Sequence, residues 1–433
     1  MKMNRREMLK YLAALGLAPL ATGYEKAAAA VAPKNDPGRE NGTGKSDEML
    51  EARKRARRRT RRIIMNNDGN DARWNESKPV TPELFLSRRT QGLVDSQVDS
   101  VFYCSGVTNV HHHKSSVSER QTNSGKGYLA DELARLGTDT LSVITDFCHQ
   151  HGKEVFWSLR MNDTHDSGQE YEFISAFKRE HPELIVGKKG VKTPVLSGRW
   201  SAFDYGQEPV RRLIVAMLND VVTRYDIDGV ELDFFRHPHF FKAQFLGEPV
   251  TQADCDKMTA MIREIRDLCD REGKRRGKPV LIAVRVPDSL GFAKAIGLDW
   301  EQWLREELID LVTAADYLKF EPWAHLAAIG RQYDVPVYAC IEQRRLLGGG
   351  EPESTSEEEL WRTEAYAAWQ AGVSGIYTFN RFDPYDPIFR ELGDPALLET
   401  LPRSGKESMT TLSSKGMLSP TYWLRNGNDF LKK

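Results

Sequence analysis

The sequence predicts an α/β protein built as a (β/α)8 TIM barrel, and three observations predict it. Between Arg62 and Pro384, eight short β-branched and apolar runs alternate with helical patterns, which implies a parallel sheet with right-handed crossovers. Towards their C-terminal ends these runs turn polar at every second residue, as strands do when one face points into a closed barrel. No G-x-G-x-x-G or Walker sequence opens any helix, so the open sheets that cradle dinucleotides or phosphates lose their main support.

Strands are predicted at 63–68, 99–106, 154–162, 229–235, 280–288, 316–321, 336–343 and 375–381. The clearest helical patterns lie at 129–151, 208–225, 253–276, 300–313 and 357–371. In the third strand Ser158, Arg160 and Asn162 oppose Trp157, Leu159 and Met161. Glu231 and Asp233 oppose Val230, Leu232 and Phe234, and Arg285 opposes Val284 and Val286. Tyr317, Lys319 and Glu321 oppose Leu318 and Phe320; Tyr338 and Glu342 oppose Val337 and Ile341; Thr378 and Asn380 oppose Phe379. Six strands with one polar parity place a polar cluster at the strand C-terminal ends, where barrel active sites are built.

Around this barrel, 62–400, the sequence divides into a signal at 1–32, a polar and basic linker at 33–61 and a polar tail at 401–433. Asn4-Arg5-Arg6-Glu7-Met8-Leu9-Lys10 precedes the mildly apolar stretch 11–22 and the small-residue tract 27–32. It resembles a twin-arginine signal and predicts export to the periplasm or beyond. The run 53–62 holds seven Arg and one Lys, without interleaved aromatics, and reads as a solvated helical linker. Composition excludes other classes. Sixty-one Lys and Arg against 62 Asp and Glu leave a net charge of −1, so no global field recruits nucleic acid. No apolar run reaches the ~20 residues of a membrane span. Five cysteines, an odd number, are no disulfide framework, and Cys255 and Cys269 lie ~21 Å apart along one predicted helix. Nothing in the sequence speaks to oligomeric state.

The candidate chemistry is carboxylate chemistry. Asp233, Glu321 and Glu342 end the predicted fourth, sixth and seventh strands, and two carboxylates flanking a glycosidic bond are what most glycosidases require. Glu231, one layer deeper, is a candidate binding residue or part of a buried network. Arg160, Asn162, Asp163 and His165 form a polar turn suited to sugar hydroxyls, Asn380 ends the last strand, and Trp323 offers a stacking surface. Trp157 and Tyr377 read as core. No metal or other cofactor is expected: the first strand offers Asn66, Asn67 and Asp68 instead of His-x-His, and no His ends strands five to eight. Cys104, Cys148 and Cys340 lack a His partner motif and read as buried apolar groups.

One segment carries a family resemblance. It runs Lys178-Arg-Glu-His-Pro-Glu-Leu184, Phe203-Asp-Tyr-Gly206, Pro209-Val-Arg211, then Tyr225-Asp-Ile-Asp-Gly-Val-Glu-Leu-Asp-Phe-Phe-Arg-His-Pro238. It resembles the glycosyl-hydrolase-like barrel family of bacterial secreted proteins, the "glycosyl hydrolase-like ten" group, with Asp228, Gly229, Asp233, Arg236 and Pro238 on its hallmark positions. The resemblance implies a secreted (β/α)8 protein acting on a polysaccharide or oligosaccharide, with Asp233 central. It leaves the partner acid open. By analogy with α-galactosidase-type barrels the partner is Glu321, slightly favoured here; by analogy with classical retaining barrels it is Glu342. The rival class is a non-catalytic carbohydrate-binding barrel. Arg160, Arg236, Arg285, Arg344 and Arg381 stand at or past five strand ends. Parity turns Arg160 and Arg285 inward and Arg236 and Arg381 away, which predicts an anionic glycan bearing uronate or sulfate groups.

Overall fold

In the computed structural model, residues 43–73, 79–120, 128–168, 174–347, 356–404 and 416–431 are described. Eight strands close into a parallel barrel in strict chain order: β1 (Ile63–Asn67), β2 (Val98–Tyr103), β3 (Glu154–Arg160), β4 (Gly229–Asp233), β5 (Leu281–Val286), β6 (Leu311–Ala314), β7 (Val337–Glu342) and β8 (Gly375–Phe379). Closure is made by β8 against β1, with Ile63 opposite Ile376 and Met65 opposite Thr378. The helices of the outer layer bury one stripe each. In Glu208–Arg224 the buried residues Val210, Leu213, Ile214, Met217, Leu218 and Val221 recur at helical spacing. Gln252–Arg276 starts on a reciprocal Thr251–Asp254 capping box and stops at Gly277, whose φ is 71°.

Inside the barrel, side chains stack in layers. At the N-terminal end Arg61, fully buried, donates to both carboxylate oxygens of Glu154 at 2.7 and 2.9 Å, and Ser100 Oγ donates to the same acid at 2.7 Å. Above them Phe102 stacks on Phe156 at 4.4 Å and meets the edge of Tyr377 at 5.7 Å. Gly229 is required here, because a Cβ would lie 2.3 Å from the Phe156 ring. In the top layer Arg160, Asp233 and Arg285 are direct neighbours on β3, β4 and β5.

Several expectations need correction. The sixth strand lies at Leu311–Ala314, overlapping the end of the stretch 300–313 expected to be helical, and the helix Trp300–Arg305 is correspondingly short. Glu307 takes a positive φ of 52°, and buried Asp310 then accepts hydrogen bonds from Arg53, Arg266 and the Ile282 amide, which fixes the strand start. Residues 316–321 are a loop whose polar alternation imitates a strand. The helix expected at 129–151 is two, Leu129–Arg135 and Thr140–Gln150, broken at Gly137 (φ 84°). In β8 the inward parity is Tyr377 and Phe379, since Tyr377 reaches Glu231 and Phe379 covers Arg285, while Thr378 bonds the Ile64 carbonyl.

The helix Thr43–Arg57 takes in the basic run only as far as Arg57, yet Arg53, Arg57 and, past the helix end, Arg61 are buried against Asp310, Asp334 and Glu154, so this segment is docked on the barrel base. The tail also packs: Leu418, Trp423 and Leu424 are buried, and the Trp423 ring backs His237 and His239. The expected signal, 1–32, lies outside the described residues. Among the described residues no helix is long and apolar enough to cross a membrane.

Candidate active site

Asp233 ends β4 at the barrel mouth, buried, and its carboxylate is fully engaged. Oδ1 accepts the amides of Phe235 and Arg236 at 3.0 Å each, which pins the loop after β4, and Arg285 Nη2 reaches both oxygens at 2.8 Å. The other arm of Arg285 donates to Asp316, and the Phe379 ring covers its guanidinium at 4.0 Å. Asp316, placed just past the true end of β6, is a mouth acid that sequence reading missed. Burial pushes its carboxyl up to about 7, with Arg285 pulling against the push and Glu342 and Asp233 adding to it. Glu342 ends β7, also buried. It accepts from Asn380 Nδ2 at 3.3 Å and from the Arg345 amide at 3.2 Å, and burial holds its carboxyl above the usual range. Asn380 thus orients Glu342 from the end of β8.

Beside this group a cavity of ≈ 100 Å³ opens over the C-terminal ends of β1 to β4, lined among others by Asp68, Arg160, Asp163, His165, Asp166 and Arg236. Three of its carboxylates have a cation each: Asp68 with Arg89, Asp163 with Arg160 at 2.7 Å, and Asp166 with Lys178 at 2.8 Å. Burial works against the Asp163 charge, but His165, Arg160 and His237 outweigh it, and the carboxyl sits well below its ordinary value. Asp163 Oδ1 accepts from His165 Nδ1 at 2.6 Å, which directs His165 Nε2 to Arg236 Nη2 at 3.0 Å. Arg236 Nη1 donates to the Tyr317 hydroxyl at 2.7 Å, so one guanidinium spans from the β3 loop to the β6 loop.

Asp163, His165 and His237 bring one ligand atom each within 4.8 Å of one another, the spacing of a metal site. Most of their atoms are committed: His237 Nδ1 accepts the Thr164 amide at 2.9 Å, Asp163 holds Arg160, and Arg236 stands against His165, while His237 Nε2 is buried without a hydrogen-bond partner among the described residues. With two guanidinium groups alongside, the cluster is built as a hydrogen-bond relay. The tract His111-His112-His113 is buried, with His111 and His113 edge-on to Trp157; burial pushes His112 and His113 down to about 3, and only His112 lines the cavity.

Other predicted residues lie elsewhere. Asn162 is spent on backbone: its amide donates to the carbonyls of Phe203 and His239 and accepts the Phe203 amide at 2.8 Å. Glu231 is sealed beneath Asp233, accepting from Ser158 Oγ and from Tyr377 Oη at 3.1 Å. Trp323 is buried, its indole N–H on Glu364 at 3.0 Å beside Lys319, so it faces the outer helix Glu357–Ala371 and offers no surface to a ligand. Glu321 follows the same loop outward, its amide on Asp288 at 2.9 Å. Arg285 is consumed by two acids, against the expectation that it meets substrate. Arg236, expected to point away, lines the cavity, because it sits past the strand in a loop where parity no longer applies. All five cysteines are buried thiols.

Fold and site together define a TIM-barrel protein with its ionised groups gathered at the C-terminal mouth. Residues 91–264 match the family model Glycosyl hydrolase-like 10, and the resemblance seen in the sequence holds over that segment. Of the hallmark residues, Asp228 ties β3 to β4 by accepting the Val155 amide at 2.8 Å, while Asp233 and Arg236 face the mouth. No curated protein matches the sequence. Solved structures similar in fold include α-L-fucosidase isoenzyme 2 from Paenibacillus thiaminolyticus (13% identity, 79% of this chain and 49% of that one, TM-score 0.46). Others are the PgaB (BpsB) glycoside hydrolase domain from Bordetella bronchiseptica (12%, 80% and 100%, 0.46) and chitinase ChiA74 from Bacillus thuringiensis (9%, 81% and 71%, 0.44). The chain spans about half the length of the fucosidase.

Proposed function

We propose that the protein is an exported glycoside hydrolase in which Asp233 is the charged carboxylate and Glu342 the proton donor. One observation carries this reading: two strand-end acids share the mouth in opposed environments. Asp233 is bound by Arg285 and two amides, which suits the anion, and Glu342 is raised by burial, which suits the acid. Glu342 belongs to the same electrostatic group as Asp233 through Asp316 and Arg285, whereas the Glu321 amide is tied to Asp288 on the outer loop. The strand-seven partner is therefore preferred to the strand-six one. The cavity over β1 to β4 adjoins Asp233 through Arg160, its neighbour in register, and supplies the polar surface a sugar needs. The export part of the proposal rests on Arg5, Arg6 and the apolar stretch behind them.

A second reading has its own support: the burial of Asp233, Arg285, Asp316 and Glu342 and their mutual saturation suit a barrel that binds glycans without cleaving them. A panel of neutral and acidic polysaccharides, assayed for new reducing ends, separates the two. Release of reducing ends is expected; saturable binding with none released gives the second reading.

A further inference from the structure

The structure assigns Arg236, with His165, to an oxyanion subsite that takes the carboxylate of a uronate or the sulfate ester of an acidic glycan. The assignment rests on the glycan reading above and adds the charge of the substrate. Arg236 lines the cavity, and its backbone amide is fixed by Asp233 Oδ1 at 3.0 Å. Its side-chain partners are both neutral: the Tyr317 hydroxyl at 2.7 Å and His165 Nε2 at 3.0 Å. Nε is buried with no acceptor. Four nearby basic groups differ. Arg89, Arg160, Lys178 and Arg285 each sit against a carboxylate, on Asp68, Asp163, Asp166 and the Asp233–Asp316 pair. Arg236 thus brings a positive charge to the cavity wall that no ion pair among the described residues cancels. Two of its five N–H groups are used in the bonds just named, and a planar fork with donors to spare suits carboxylate or sulfate.

His165 sharpens the preference. Asp163 accepts a hydrogen bond from Nδ1–H, so Nε2 accepts from Arg236 and holds the guanidinium plane in place without neutralising it. An incoming oxyanion takes Nη hydrogens that His165 and Tyr317 leave unused, and such a charge-assisted bond is favoured in a half-enclosed site. Tyr317 Oη fixes the other end, so the fork is set before ligand arrives.

The test uses the whole protein and five probes at matched ionic strength: sodium sulfate, sodium glucuronate, a sulfated oligosaccharide, a uronate-bearing oligosaccharide, and a neutral oligosaccharide. Binding is followed by calorimetry for wild type, Arg236→Gln and Arg236→Lys. Acidic probes should bind wild type about tenfold to a hundredfold more tightly than Arg236→Gln, with Arg236→Lys between them and the neutral probe moved less than about threefold. The uronate and sulfate arms say which oxyanion is preferred. Equal binding of neutral and acidic oligosaccharides, insensitive to Arg236, overturns the subsite while leaving the glycan reading intact. Binding of the simple anions through Arg236 with no oligosaccharide bound keeps the subsite and removes the glycan reading. No binding by any probe removes both, and loss of folding in Arg236→Gln leaves Arg236→Lys to decide by its affinity for the acidic probes.

Discussion

Replacing Glu231 by Gln is expected to stabilise the protein at neutral and alkaline pH, with a gain that disappears in acid. Glu231 is wholly buried; burial first, and the Asp233 charge next, raise its carboxyl from an ordinary 4.5 to about 8. Over that interval the native state keeps a proton that the unfolded chain has released. The unfolded state binds fewer protons, so stability falls with rising pH by ~1.4 kcal/mol per unit. From 4.5 to 7 the loss is ~3 kcal/mol, and it is complete near pH 8. Glutamine has the same shape and no proton to lose, and its carbonyl can accept from the Ser158 and Tyr377 hydroxyls as Glu231 does. At ~2.1 cal/mol/K of unfolding entropy per residue, ~3 kcal/mol is ~3 °C in Tm for a chain of this length. Thermal unfolding of both proteins from pH 4 to 9, followed by circular dichroism, reads the effect. The amide adds an offset at every pH, so the diagnostic is the slope: the Tm difference should grow from pH 4.5 and level off above 8. A difference that is flat in pH would refute the protonated, sealed state of Glu231.

Two further perturbations follow from the mouth and its outer loop. Asp233→Asn should abolish glycan cleavage and also lower stability by ~3 kcal/mol, because Arg285 stays buried with only Asp316 as countercharge; an unchanged Tm would mean that the pair carries no structural weight. Trp323→Phe should cost ~1–3 kcal/mol by leaving buried Glu364 without the indole N–H, with the KM for glycan unchanged within about twofold; a large rise in KM would return Trp323 to the sugar site.

The barrel was legible because seven of its strands announce themselves by apolar runs and period-two polarity. β6 was not. Its four residues, Leu311 to Ala314, continue the apolar pattern of the preceding helix, and the polar alternation at 317–321 belongs to a loop folded outward onto Glu364. That displacement hid Asp316 and placed Glu321 where no strand ends. Parity then located Glu231, Asp233, Arg285 and Glu342 in the lumen, but parity cannot tell a group that meets substrate from one that neutralises its neighbour. Arg285 and Asn162 are of the second kind because their partners come from distant sequence: Asp316, Phe203 and His239. For Arg236 the rule ran out altogether, since the turn after Asp233 sets its direction. The docking of Arg53 and Arg61 was equally invisible, because a basic run carries no sign of the buried acids it will meet.

The most direct test of the central claim is the rate–pH profile on whichever glycan is cleaved, compared for wild type, Glu342→Gln and Glu321→Gln. A buried acid that donates a proton gives an alkaline limb, because activity falls once it ionises. Glu342→Gln should lose most of its rate together with that limb, while Glu321→Gln keeps both. Loss of the limb in Glu321→Gln with Glu342→Gln unaffected would contradict it.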